Sequence, residues 1–591
     1  ARFGNSGSGS CETMPVTIEP TIFPPIVRAA TFRFLLVPYV SRPRMPGASP
    51  GCCMHCRQSP AGLQSDFCSG KNVHTSSTRG QTMKNNNQKA IVPLLAATMT
   101  MIYGCAPESA VEETVAAAAP EVPTQKWVSN KRVTTDCGIP NRSGSSGGFA
   151  GPVGVPLKEM SETVAAQVAG GWGREQVETD WDRVSPGYVL VEPNALKTSF
   201  LVGTDKEIAA SIAGDHYPKY SEILPNGNRI VSVNGRVVGP GRGGGETGCI
   251  EEWDADGNLL WRLSLNDDNY VAHHAIVKLP NGNILAQVWE RTTASEAIDL
   301  GRDPERVPEN GTFWFDGIVE INPYTAEIVW EWSMRHHLVQ DHDIAELNFG
   351  VVAEHPERLD INIIPEGDDP SHDWTHGNSI DYDPELQQIL LSIREMNEVV
   401  VIDHTTTPWE AARSSGGRYG KGGDFLYRWG NPQNYGYGTP EDRQLHLQHD
   451  ARWIPAGMPG AGNIMVFSNG DPDVRPYTTI VEFTPPVNAN GEYVREEGEA
   501  YGPRELTWEY NPEGDDRFYS SFISGAHRLP NGNTFINAGR IGHQREVTPD
   551  GEIVWEYAFR NETDAPHIMW RATKYPPDYP GLAGYISADE Q

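Results

Sequence analysis

The chain has 591 residues, with 47 Lys and Arg against 78 Asp and Glu, a formal net charge of −31. That balance excludes a nucleic acid as partner, because a phosphate backbone repels a polyanion. It leaves small anionic substrates open, since local fields decide their binding. The length suits several domains or one large repeat array.

Residues 1–82 differ from the rest. They hold five of the eight cysteines and 8 Lys/Arg against 3 Asp/Glu, which leaves 39 against 75 for the remainder. The spacing of Cys52, Cys53, Cys56 and Cys68 is too irregular for a zinc knuckle. No periodic apolar pattern runs through them, and they read as an over-extended gene start. From Met83, a lysine-bearing segment leads into a 15-residue apolar run, Ala90–Gly104. A membrane-spanning helix needs about 20 residues, so this run has the size of a signal-peptide core. Ile102-Tyr103-Gly104-Cys105 is similar to a lipobox, with Tyr103 unusual in it. Residues 83–104 are therefore expected to be a lipoprotein-type signal peptide. The mature chain would start at Cys105, lipid-anchored in the periplasm or on the cell surface; a plain cleaved signal is the alternative. Residues 105–185 are rich in Ala, Pro, Gly and Ser and read as a flexible tether, with a short helix near Met160–Gly171. Cys137 and Cys249 are the two cysteines left to pair.

Strand patterning begins near Tyr188. Leu-Pro-Asn-Gly-Asn occurs at Leu224–Asn228, Leu279–Asn283 and Leu529–Asn533, each between two alternating apolar runs. Looser copies stand at Tyr382–Pro384 and Ile454–Asn463. Asn-Gly between such runs predicts a hairpin. A second hairpin follows each cassette and ends on an aromatic residue: Trp261, Trp330, Tyr427, Trp508 and Trp555. Four strands per repeat make a propeller blade. Five cassettes plus a degenerate unit at Gly187–Ile212 predict an all-β, six-bladed β-propeller over residues 186–591. The last outer strand, GEIVWEY, is expected to close the ring. These 406 residues give about 68 per blade, more than the usual 40–50, so long loops decorate one face. The largest insertion runs from about Arg335 to Trp374.

Histidines gather at one repeat position. His274 and His449 both stand five residues ahead of their cassettes. His376-Gly377-Asn378 sits where an innermost strand should begin, Arg394 follows 18 residues later, and Ser524 occupies the same column. Equivalent positions of a repeat fold meet at one end, so these residues should share a channel mouth. An inward-facing arginine there needs an anionic partner. His273 should point away from its neighbour by strand alternation. His336, His337, His342 and His372 read as loop residues. Arg475 and Arg545 are expected to pair with blade carboxylates, and Trp314, Trp374 and Trp570 read as packing, with an aryl-binding wall as the alternative.

HGN with its following arginine, QHDA at Gln448–Ala451, HH…LPNGN at His273–Asn283 and the closing LPNGNTFI…GEIVWEY together resemble the bacterial arylsulfate sulfotransferases, which use no nucleotide donor. The resemblance covers residues 186–575. It implies a six-bladed propeller that moves a sulfuryl group between phenols. His449 matches the transiently sulfated nucleophile. His274, His376, Asn378 and Arg394 match groups that bind the sulfuryl oxygens, and Ser524 a small hydroxyl residue beside them. No cofactor or metal is implied; the partners are aryl sulfates and phenols. Two departures stand out: no N-terminal β-domain, and no cysteine pair before His449. They leave the oligomer open, a homodimer being one option. The chemistry suits the residue types. A neutral imidazole is a good nucleophile near pH 7, and sulfuryl transfer, like phosphoryl transfer, spreads charge over equatorial oxygens that an arginine can hold. The competing readings are a metal-dependent propeller lyase or hydrolase, which Arg394 opposes, and a non-catalytic surface-binding propeller.

Overall fold

The computed structural model describes residues 131, 133–135 and 176–587, apart from 235–243, 268, 309–310, 366–372 and 561–565. Residues 1–130, with the expected signal peptide and Cys105, lie outside the described residues. So do Cys137, His372 and the helix expected near Met160–Gly171.

Six four-stranded antiparallel sheets form the blades of a β-propeller. The first blade contains β1 (Tyr188–Pro193), β2 (Thr198–Gly203) and β3 (Ile208–Ala213). The second is β4 (Pro218–Ile223), β5 (Arg229–Val233), β6 (Cys249–Trp253) and β7 (Leu259–Ser264). The third is β8 (Tyr270–Lys278), β9 (Ile284–Thr293), β10 (Thr312–Asn322) and β11 (Glu327–Ser333). A small parallel pair, β12 (Leu338–Val339) and β13 (Leu359–Asp360), lies in the large insertion that follows. The fourth blade is β14 (Gly377–Asp383), β15 (Gln388–Ile393), β16 (Glu398–Asp403) and β17 (Tyr427–Trp429). The fifth is β18 (His449–Trp453), β19 (Ile464–Ser468), β20 (Thr479–Phe483) and β21 (Trp508–Tyr510). The sixth is β22 (Gly525–Arg528), β23 (Thr534–Ala538), β24 (His543–Val547) and β25 (Ile553–Tyr557).

Ring closure differs from the expectation. GEIVWEY forms β25, the outer strand of its own blade. The ring is closed by β26 (Met569–Tyr575), which pairs with β1 as the innermost strand of the first blade. The two ends of the propeller are thereby joined by a hydrogen-bonded ladder rather than by side-chain packing alone. The innermost strands neighbour one another in cyclic order: β26, β4, β8, β14, β18, β22 and back to β26.

The cassette sequence explains its turn. In Leu224–Asn228 the Gly227 N–H donates to the Leu224 carbonyl and the Leu224 N–H to the Asn228 carbonyl, with Gly227 at φ +85°. Proline presets the first turn position, and only glycine takes the left-handed one without strain. The final asparagine has a separate task. Its amide donates to a glutamate on the third strand of the same blade: Asn228 to Glu252, Asn283 to Glu320, Asn463 to Glu482 and Asn533 to Glu546, at 2.5–2.7 Å. Each glutamate also takes a basic side chain from the next blade: Lys278, His404, Arg528 and Lys574 in turn. The repeat thus encodes an interblade clamp as well as a hairpin.

The apolar core is divided among the interblade spaces. Ile380, Leu391 and Val400 pack on Phe315, Trp330 and Trp332 between the third and fourth blades, for example. Comparable clusters fill the other five junctions. Burying one such aliphatic side chain contributes roughly 1.5–3 kcal/mol. Cys249 is disulfide-bonded, and its partner lies outside the described residues. Among the described residues no helix is long and apolar enough to cross a membrane.

Candidate functional site

The innermost strands begin at one end of the channel, opposite the Pro-Asn-Gly turns. His449 opens β18; His376 and Ser524 stand just before β14 and β22. His376, Asp450, Ile523 and Ser524 all have left-handed backbone, at φ 46°, 53°, 52° and 89°. Non-glycine residues reach that region at a cost of about 1–3 kcal/mol each, and such strain clusters at functional sites.

His449 is buried, and its hydrogen bonds fix its tautomer. The Asn469 amide nitrogen donates to the carbonyls of Ser520 and Ile523 at 2.6 and 3.0 Å. Its oxygen therefore faces His449 Nδ1, 2.7 Å away, and that nitrogen must carry the proton. Nε2 is left with its lone pair, which accepts the Ile523 N–H at 3.1 Å. Burial, and then the Arg394 cation, hold the imidazole well below its usual pKa, although the Asn469 bond works the other way. His449 is thus a neutral base with the Nε2 lone pair presented.

The segment before His449 and the residues after it explain the QHDA motif. The Gln448 amide donates to Ser392 Oγ and to the carbonyls of Ile393 and Glu398, anchoring β18 to the fourth blade. Asp450 holds Arg452 at 2.8 Å and Arg571 at 3.2 Å.

His376 is biased the opposite way. Burial opposes its charge, but the Asp373 carboxylate, 2.5 Å from Nδ1, outweighs burial and raises its pKa. The turn that carries it is pinned by buried Asp316, which accepts from Thr375 Oγ1 at 2.6 Å and from the Gly377 N–H at 2.7 Å. A Cβ at Gly377 would come within 2.2 Å of Gln287 Nε2, which accounts for the glycine of HGN. The Asn378 amide donates to the Gln448 carbonyl at 2.7 Å, and its oxygen is buried without a partner. Arg394 lies just beyond β15; its N–H donates to the His376 carbonyl and its guanidinium pairs with Glu395. Its charge acts on both His376 and His449.

His273 corrects the alternation argument. A bulge between Ala272 and Ile276 breaks the pairing of β8 with β9, so alternation fails there. The His273 ring lies 4.3 Å from His274 and 5.6 Å from His376, centroid to centroid. Both nitrogens of His273 and Nδ1 of His274 are buried without a hydrogen-bond partner. Burial, with neighbouring cations and imidazoles, keeps both rings well below the ordinary range and neutral.

The structure therefore brings His274, His376, Asn378, Arg394 and His449 to one end of the channel. Ser524 is there too, but its hydroxyl is engaged by Ser520 Oγ, the Phe522 carbonyl and the Gly539 N–H, and so serves the Ile523 turn. Besides His273, the sequence pattern also missed Asp373, Asn469, Arg571 and Lys219. Arg571, on β26, reaches the Asn378 carbonyl at 3.3 Å. Lys219, on β4, lies 3.9 Å over the Trp570 ring, and burial lowers its pKa to about 8. Trp570 itself is 5.0 Å from His274, so it borders the site instead of packing a blade. Trp374 packs on Phe313 and Phe315 as expected, and Trp314 packs with Val271 and Trp289. His337 is structural, held between Asp424 and the Ala411 carbonyl. Arg545 pairs with Glu556 at 3.2 Å. The guanidinium of Arg475 instead bonds Ser468 and Thr479.

The profile of the family Arylsulfotransferase (ASST) matches residues 243–576, more than half of the chain. The chain belongs to the arylsulfotransferase family. That match spans every site residue named above except Lys219. No curated protein matches the chain. Similar solved structures include a protein of unknown function from Bacteroides caccae, at 13% identity over 66% of this chain and 99% of that one, with a TM-score of 0.36. Virginiamycin B lyase from Staphylococcus aureus matches at 10% identity over 66% and 90%, with a TM-score of 0.30. AztD from Citrobacter koseri matches at 8% over 67% and 100%, with a TM-score of 0.29. These likenesses are too remote to bear on activity.

Proposed function

We propose that this arylsulfotransferase-family chain moves a sulfuryl group from an aryl sulfate to a phenol in two half-reactions, through a sulfohistidine at His449 Nε2. The observation that carries the reading is the opposed state of two imidazoles: His449 neutral with its Nδ1 proton fixed by Asn469, His376 biased toward imidazolium by Asp373. Titratable groups driven apart in this way mark the nucleophile and the acid.

In the first half-reaction the Nε2 lone pair attacks sulfur. The bond from sulfur to the aryl oxygen breaks, and its electron pair leaves on that oxygen. His376 gives its proton to the departing phenoxide, from the nitrogen opposite Asp373. Positive charge that grows on His449 is shared through Nδ1–H with the Asn469 oxygen. In the second half-reaction His376, now neutral, takes the proton of the acceptor phenol. The phenoxide attacks sulfur, and the pair of the sulfur–nitrogen bond returns to Nε2. Arg394 supplies a forked cation for the sulfuryl oxygens, and His273, His274 and Asn378 supply buried polar atoms around it. Attack also requires the Ile523 N–H to release Nε2, so the strained Ile523–Ser524 turn must move aside. The proposed setting is periplasmic or cell-surface, with a lipid anchor at Cys105.

The test is incubation with para-nitrophenyl sulfate, with and without phenol. Acceptor-dependent release of nitrophenolate with formation of phenyl sulfate supports the reading. Release at the same rate without acceptor makes the chain a sulfatase instead.

A further inference from the structure

We propose that a cavity beside Arg394 is an acceptor subsite for phenols that carry an ammonium group; this rests on the transfer reaction proposed above. The cavity holds about 430 Å³, within the usual range for small-molecule sites, and its polar wall includes Asp341, Asp360, Glu395, Asn431 and Arg443 beside the amides of Gln433 and Asn434. It adjoins the reaction site through Glu395, whose carboxylate pairs with Arg394.

Glu395 is already paired with Arg394, so the wall sets Asp341 and Asp360 against Arg443. Two carboxylates against one guanidinium suit a cationic acceptor better than the anionic aryl sulfate. Burial, with Asp341 close by, raises the Asp360 carboxyl even though Arg306 and Arg302 oppose the shift. A ligand cation would offset that burial.

Asn431 adds an independent sign of a donor-rich ligand. Its amide nitrogen is committed to the Met396 carbonyl at 3.4 Å and to Asn434 Oδ1 at 3.2 Å. Its oxygen is buried and has no partner. An ammonium brings three N–H donors and no acceptor, which matches an acceptor-rich wall. Val352 and Ile363 supply apolar surface for the carbon chain between ring and amine.

The test uses para-nitrophenyl sulfate as donor and three acceptors of similar shape: tyramine, para-ethylphenol and para-hydroxyphenylpropionate. KM should be lowest for tyramine, by about tenfold against para-ethylphenol, the scale of one charge-assisted hydrogen bond. The anionic acceptor should be poorest. The double variant Asp341→Asn/Asp360→Asn should erase the preference while leaving turnover of para-ethylphenol and the donor KM unchanged. Equal KM for the three acceptors, or a preference that survives the double variant, overturns the proposal. Should no phenol accept a sulfuryl group, the transferase reading fails separately, and calorimetric titration of tyramine still decides the subsite. Binding by wild type that the double variant loses supports it; no binding, or equal binding, overturns it.

Discussion

Replacing Asp373 by Asn tests the acid role of His376 with little change of shape. The carboxylate stands 2.5 Å from His376 Nδ1 and is what overcomes burial of the imidazolium. A hydrogen bond to a charged group contributes about 1.5–3 kcal/mol, or roughly ten- to 150-fold in rate if it is needed in the transition state. An amide keeps the oxygen acceptor and loses the charge, so the main opposition to burial is gone and the imidazole becomes neutral at lower pH. The loss must then depend on the leaving group. Phenyl sulfate, whose phenol has a pKa of about 10, should slow by about a hundredfold. Para-nitrophenyl sulfate, with its more acidic phenol, should slow far less. The assay is kcat/KM for a series of substituted aryl sulfates across pH. In wild type the basic limb reflects deprotonation of His376 and lies above the ordinary imidazole value of about 6.5; in the variant it moves down. An equal loss for every donor, with an unmoved basic limb, would refute the acid role. The same pair has a signature in stability. Its folded pKa is raised, so its contribution is full below about pH 6.5 and disappears as pH rises through the folded value.

Asn469→Ala removes the acceptor of the His449 Nδ1 proton, and kcat should fall by about 10²–10³ with donor KM little changed; steady-state kinetics on para-nitrophenyl sulfate check this. Glu546→Gln leaves Lys574 without its buried counterion, 2.7 Å away, on the strand that closes the ring. Breaking a buried pair costs about 3–5 kcal/mol, so thermal melting should fall sharply, whereas Glu499→Gln, at an exposed pair with Arg504, should melt like wild type. His273, His274 and His449 have depressed folded pKa values, so unfolding takes up protons below about pH 6.5 and stability should decline as pH drops from there. Calorimetric melts between neutral and acid pH measure that decline, and His274→Gln should make it shallower.

The propeller was legible because its turns are chemically explicit. Pro-Asn-Gly marks the hairpin between the first two strands of the second, third and sixth blades, and Trp261, Trp330 and Trp555 mark outer strands. Closure was not legible, because β26 is a lone strand with no cassette, and nothing local says that it pairs with β1 across the whole propeller. The site was legible where chemistry sits at the repeat position, as with His274, His376 and His449. It was not legible where local geometry breaks the period. His273 escaped because of a bulge, and Asp373 because it lies in an insertion. The Asn469 side chain and the Ile523 N–H reach His449 only because the folded loops bring them there. Arg571 arrives on the unrecognised closing strand.

A sulfuryl group carried on one imidazole leaves a covalent trace. Incubating the protein with para-nitrophenyl sulfate and no acceptor, quenching, and mapping peptides by mass spectrometry tests it most directly. One added sulfuryl group is expected on the peptide that contains His449, discharged when phenol is added and absent in His449→Ala. Nitrophenolate release that continues in His449→Ala, or an adduct found on another residue, would contradict it.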